Sequence, residues 1–276
     1  MSHAVRNTII AIIIIAGLAV LFYPDISNWH NSRAHAELIL NHNEELALMH
    51  EEYIQSHWQR AHQFNEMLNQ ATPSAALREE YESILNIGGV MALVEIPAIN
   101  VRLPVFHTTS HYTLLRGVGH LENTSLPVGG ASTHSVLTAH SGLAAHRLFT
   151  DLEELGIGQL FFIQVLGETL AYQVDQRRVV LPHEIDETRI IPGADHVTLI
   201  TCTPYAINSH RLLVRGIRVP YEPGMEEQIE SILPQEIVAL DIRIIIVTGI
   251  LCLFVLVLIV RLIVGRRKHK EATERV

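Results

Sequence analysis

From Val90 onward the sequence predicts a mainly β domain, and three observations carry that prediction. Short apolar runs rich in β-branched and aromatic residues recur at 90–96, 103–106, 136–139, 159–165, 169–174, 177–181, 198–201 and 212–219. Pro and Gly punctuate the intervals between them, as turn chemistry requires. The residues ahead of this region have the opposite character, with many Glu, His, Gln, Asn, Leu and Met, few β-branched residues and hardly any Gly. Eight short strands with turn signals between them suggest a closed antiparallel barrel or a sandwich, preceded by helix.

Taken in order, the chain opens with a short N-terminus, 1–8, and an apolar segment, 9–23, preceded by Arg6. No small-residue cleavage site follows, and Phe22-Tyr23-Pro24 reads as a membrane-interface exit, so the segment is expected to be an uncleaved signal anchor; a cleaved signal peptide is the alternative. Residues 24–86 have helical composition, with Thr72-Pro73-Ser74 as a break and Ser74 as a cap for a second helix ending at Leu85. Gly88-Gly89 marks the passage into the β region, 87–221. Within it, 143–155 reads as a short helix. An acidic connector, 222–240, leads to a second apolar segment, 241–264, long enough for the ~30 Å hydrocarbon layer. Arg243 and Arg261 near its ends can snorkel to the interfaces. The basic tail 265–276 places the C-terminus in the cytoplasm by the positive-inside rule. Both termini are then cytoplasmic and the β domain extracytoplasmic.

The chain has 276 residues and a formal net charge of −9, which excludes a nucleic-acid partner in the absence of any basic block outside the C-terminal tail. It has 2 cysteines, Cys202 and Cys252. Cys252 lies in the second apolar segment, so no disulfide is expected and Cys202 is a free thiol.

Cys202 ends the run Thr198-Leu199-Ile200-Thr201, and Pro204 obliges the chain to leave the strand just after it. Arg211 opens the next strand. The pattern sets a thiol at one strand's end beside a guanidinium at the start of the next. Among 17 histidines, His140 and His120 are close rivals as a partner, since each stands where a strand becomes a loop. His210 adjoins Arg211 and so faces the other side of its strand. Arg215, four residues on, shares the face of Arg211 unless a bulge intervenes, and Gly216 is a candidate bulge. His35, His42, His50, His57 and His62 recur at intervals of about seven residues and read as a solvated polar face rather than metal ligands, which pair at i, i+4 on a helix. Gly129-Gly130 reads as a turn. No metal or cofactor is expected.

The string Thr201-Cys202-Thr203-Pro204-Tyr205, continuing through Ile207-Asn208 and His210-Arg211-Leu212-Leu213-Val214-Arg215-Gly216, resembles the class C sortases, the pilin-polymerising branch of the membrane-tethered cysteine transpeptidases of Gram-positive bacteria. Ile96-Pro97, Leu103-Pro104-Val105, Gly117-Val118-Gly119-His120, Leu126-Pro127-Val128-Gly129-Gly130 and Leu137-Thr138-Ala139-His140-Ser141-Gly142-Leu143 are similar to the same class. The resemblance implies a closed sortase-type eight-stranded barrel flanked by two transmembrane helices. It also settles the roles. Cys202 is implied as nucleophile, His140 as general acid and base, and Arg211 as stabiliser of oxyanion or substrate. Thr201, Thr203 and Ser141 are implied as substrate-binding residues, and His120 as a structural or substrate-binding one.

By the same resemblance, the thiolate of Cys202, stabilised by a charged His140 and by Arg211, attacks the Thr–Gly carbonyl of an LPXTG-like sorting signal. A pilin lysine then resolves the thioester into an isopeptide bond. The partners implied are pilin subunits and the membrane. Two alternatives stand: a sortase anchoring surface proteins to the peptidoglycan precursor, and a non-catalytic tethered scaffold. One departure is visible. Many class C enzymes carry a lid with an Asp-Pro-aromatic motif, whereas the stretch from Phe64 to Ala75 has no such Asp and no aromatic beside Pro73, so no lid plugging Cys202 by those contacts is expected.

Overall fold

In this computed structural model the described residues are 3–70, 80–143, 146–184 and 186–222, together with Met225 and Gly249. The second apolar segment, the acidic connector beyond Met225, the basic tail and the Thr72-Pro73-Ser74 break lie outside them. The chain divides into two units, one containing residues through His30 and the other Asn31–Ile232.

The first helix, α1, is one element spanning His3–Leu48, with Pro24 in its interior. The helix continues through Pro24, which removes one backbone donor without ending it. By length and hydropathy, α1 contains the one candidate membrane span among the described residues. After a break at Met49-His50, α2 runs Glu51–Gln70.

Eight strands follow: β1 Ala92–Ile96, β2 Val101–Phe106, β3 Val118–His120, β4 Thr133–Thr138, β5 Leu160–Val165, β6 Glu168–Val180, β7 Asp195–Thr203 and β8 His210–Val219. A short helix, α3, spans His111–Arg116 between β2 and β3. The strands close into a barrel in the order β1-β2-β3-β4-β7-β8-β6-β5, with β1 pairing β5. The barrel is mixed rather than antiparallel, because β2–β3 and β4–β7 are parallel.

Three local expectations need correction. The runs 169–174 and 177–181 are one strand, β6, interrupted by a bulge between Val174 and Gln176. The bulge thus sits on β6, opposite Gly216, which itself pairs regularly with Val197. Gly216 answers a different need: a Cβ there would stand 2.5 Å from the Phe161 ring, which stacks on Tyr172 inside the barrel. The helix expected over 143–155 is only a 3-10 turn at Thr150–Glu154 among the described residues.

The alternation of strand residues separates two apolar sets. Leu137, Ala139, Val197, Leu199, Leu212 and Val214 belong to the main core inside the barrel. Val136, Ile200 and Leu213 form a separate cluster on the outer face. On the helical side, α2 buries Ala61 and Phe64, and Asn65 makes a two-way bond to the backbone of Leu126, at 2.7 and 3.1 Å. The stretch that a lid would occupy thus begins on a helix packed at Leu126. The histidine row is a solvated face only in part: His50 and His62 are exposed, while the other three are engaged by the domain. His35 bonds the Arg116 carbonyl at 2.7 Å, the buried His42 bonds the Ile87 carbonyl at 3.1 Å, and the buried His57 accepts from the Leu85 amide at 3.3 Å. Their spacing aligns them to satisfy backbone groups of the packed domain.

Candidate active site

Two pairings decide where the reactive groups meet. Parallel β4 and β7 run level, with Thr138 opposite Ile200 and the Ala139 amide donating to the Ile200 carbonyl at 3.1 Å. Both strands therefore end at the same rim, and His140 emerges beside Cys202. Antiparallel β7 and β8 then place Cys202 directly opposite Arg211. Residues directly opposite in such a pair project from the same face, with Cβ atoms about 5 Å apart.

The alternation says which face. Cys202 follows Ile200 by two residues, Arg211 precedes Leu213 by two, and His140 follows the inward-facing Ala139. All three thus stand on the outer face of the barrel wall, just beyond the apolar cluster of Val136, Ile200 and Leu213. Cys202 is half-buried and not disulfide-bonded.

His140 is also half-buried, and its ring makes no hydrogen bond among the described residues. Its nearest ring neighbour is His111 of α3, edge-on at 6.5 Å. Burial holds the His140 pKa below the ordinary 6.5, and repulsion from His111 and His146 adds to the depression. The depressed pKa favours the neutral imidazole, the form able to accept a proton, over the charged His140 that the family resemblance implies. Arg211 donates from Nη1 to the carbonyls of Asn208 and His210, at 3.2 and 3.0 Å, which secures the β7–β8 loop. A guanidinium has five N–H donors, so those on Nε and Nη2 are left for a further acceptor.

The remaining candidates lie elsewhere or are otherwise engaged. Thr201 is buried and donates to the Ala139 carbonyl at 2.9 Å. Thr203 donates to the Glu153 carboxylate. Ser141 donates to the Cys202 carbonyl at 2.5 Å. His120 is fully buried away from the rim; its Nε2 donates to the Ser125 carbonyl and its Nδ1 accepts from the Tyr81 hydroxyl, each at 2.8 Å. Arg215 shares the outer face with Arg211 and forms an ion pair with Asp175 at 2.6 Å, the residue at the β6 bulge. Sequence reading missed His111 and His146 as neighbours of His140. His111 comes from α3, which no local signal links to the end of β4, and His146 from further along the loop that His140 opens.

A closed barrel carrying an unpaired thiol at the rim, beside an imidazole and a guanidinium, defines a class of enzyme that works through cysteine chemistry. A model of the Sortase domain matches residues 94–219. Sortase C1 of Streptococcus agalactiae is 42% identical over 70% of this chain and 99% of that one, with a TM-score of 0.65. Sortase C of Streptococcus pneumoniae, described in terms of pilin substrate specificity, is 43% identical over 67% of this chain and 97% of that one, with a TM-score of 0.63. More distantly, a Sortase A of Streptococcus agalactiae is 24% identical over 72% of this chain and 78% of its own length. The chain belongs to the sortase family of cysteine transpeptidases, and its structural likeness is to the class C members.

Proposed function

We propose that the chain polymerises pilins, with Cys202 as nucleophile, His140 as general base and then acid, and Arg211 as the donor to developing negative charge. One observation supports this above the others: two strand pairings bring the three side chains to one rim of one face. In the first step, neutral His140 takes the thiol proton as sulfur attacks the Thr–Gly carbonyl of an LPXTG-like signal. The resulting imidazolium then protonates the departing glycine amine, leaving an acyl thioester on Cys202. Arg211 stays charged throughout, since its pKa exceeds ~12, and offers its remaining N–H groups to the oxyanion or substrate backbone. In the second step, a pilin lysine amine attacks the thioester, His140 accepts its proton, and sulfur leaves as an isopeptide bond forms.

The candidate span in α1, with the apolar segment 241–264, supports a two-span protein whose catalytic domain lies outside the membrane and whose termini lie in the cytoplasm. One observation favours a second reading. The Sortase A likeness admits a peptidoglycan-precursor amine as acceptor in place of a pilin lysine. Full-length protein in membranes, incubated with pilin, separates the two: a polymerase yields a boiling-resistant ladder of covalent multimers, abolished by Cys202→Ala. Single wall-linked subunits without a ladder would sink the pilin assignment.

A further inference from the structure

We propose that Ser141 is a positioning residue for acyl transfer: by donating its hydroxyl to the Cys202 carbonyl, it ties the loop carrying His140 to the strand carrying the nucleophile. This rests on the roles proposed above for Cys202 and His140. In most nucleophile–histidine pairs a third group hydrogen-bonds the imidazole and orients it. Here the His140 ring has no such bond among the described residues, only the edge contact with the exposed His111. Its orientation must therefore come from the backbone that carries it.

That backbone is stitched to β7 by side chains. The β4–β7 ladder ends at Thr138 and Ile200, and its last backbone bond runs from the Ala139 amide. The chain then turns away, with the Phe149 amide bonding the His140 carbonyl at 3.1 Å and the Gly142 amide bonding the Thr150 hydroxyl at 3.1 Å. Hydroxyl groups take over where the ladder stops. Thr138 donates to the Ile200 carbonyl at 3.2 Å, Thr201 to the Ala139 carbonyl at 2.9 Å, and Ser141 to the Cys202 carbonyl at 2.5 Å. Of the three, the Ser141 bond reaches the nucleophile's own residue. Ser141 is 7% exposed, and its single proton is engaged with backbone, so it is poorly placed to read substrate. Removing it frees the residue next to His140 and leaves the Cys202 carbonyl without that donor. A misplacement of about 1 Å between reacting groups can lower a rate about 100-fold.

The test uses the full chain with a sorting-signal peptide, comparing wild type, Ser141→Ala and Ser141→Thr, each checked by thermal unfolding. Ser141→Ala is expected to lower kcat between about 10-fold and about 100-fold with KM within about twofold, and Ser141→Thr to recover most of the loss by restoring a hydroxyl. A raised KM at unchanged kcat would overturn the proposal and return Ser141 to substrate binding; so would an unchanged kcat. A second readout needs no turnover: the pH profile of iodoacetamide alkylation, measured at the Cys202 peptide by mass spectrometry, with His140→Ala as reference. Ser141→Ala should lose the His140-dependent inflection, and retention of it counts against the proposal. If wild type fails to process the peptide, the functional reading fails alone, and the alkylation profiles still decide the place of Ser141.

Discussion

His140 and His120 occupy similar sequence settings, each at a strand end before a loop, yet the fold uses them in opposite ways. His120 is sealed under Tyr81 with both ring nitrogens bonded, and burial pushes its pKa down to about 4. His140 sits at an open rim with no hydrogen bond to its ring among the described residues, and its pKa is lowered less specifically, by burial and by two histidines nearby. Under the role proposed for His140, the difference separates a structural histidine from a working one. A working imidazole keeps its bonding capacity for a proton in transit, whereas a structural one has committed both nitrogens to the protein.

The largest effect should come from exchanging the two substitutions. His140→Ala should reduce acyl transfer about 10³-fold while leaving the unfolding temperature nearly unchanged. His120→Ala should do the reverse, removing on the order of 3 kcal/mol of stability while the folded fraction keeps activity within a few-fold. Parallel kinetics and urea unfolding check both; a stable, inactive His120 variant would break the comparison.

A smaller effect concerns acid. His134 of β4 is sealed like His120, fully buried with its ring nitrogens bonded to the Arg189 carbonyl at 2.9 Å and the Thr198 hydroxyl at 2.7 Å. Both are held neutral, with folded pKa values of about 4 against 6.5 unfolded. Because the unfolded chain binds these protons more readily, their neutral forms stabilise the fold fully above pH 6.5, and that contribution is lost as pH falls toward 4. Each is expected to contribute on the order of 3 kcal/mol, read as a fall in the urea midpoint over that window. An unchanged midpoint between neutral pH and the acid end would contradict the assignment of these two as sealed histidines.

The smallest effect sharpens the His140 side. Thiol with neutral imidazole and thiolate with imidazolium hold the same number of protons, so the acid limb of kcat/KM reports the first macroscopic pKa of the Cys202–His140 pair, which follows the imidazole when the neutral pair predominates, as in the proposed first step. That limb should lie below pH 6.5 in wild type. His111→Gln removes one repelling neighbour and should move it upward, toward 6.5, by less than the full depression, since burial is the larger cause.

The parts of the fold legible in sequence were those that local patterning controls. The cores of seven strands, β6 as two runs, the free thiol at a strand's end and the guanidinium opening the next strand were all visible there. β3 was not, because Val118-Gly119-His120 is three residues with a glycine at its centre, too short for a period to show. Gly119 is required by tertiary crowding, since a Cβ would approach the Thr108 carbonyl to 2.5 Å. The polar pair Asp175-Gln176 looked like a turn and is a bulge whose aspartate meets Arg215. Least legible was the parallel register of β4 with β7, a contact across some sixty residues that no local signal encodes. That register brings His140 to Cys202, and only the family resemblance anticipated it. The hydroxyl rungs left a trace, three Ser and Thr residues clustered around the thiol and the imidazole, but their hydrogen-bond partners could not be read from sequence.

The central claim is tested most directly by mass mapping of full-length protein quenched in acid during turnover of a sorting-signal peptide. The account predicts an acyl adduct on the Cys202 peptide, released by hydroxylamine, and scarcely formed in His140→Ala. An adduct on another residue, or continued peptide cleavage by Cys202→Ala, would contradict it.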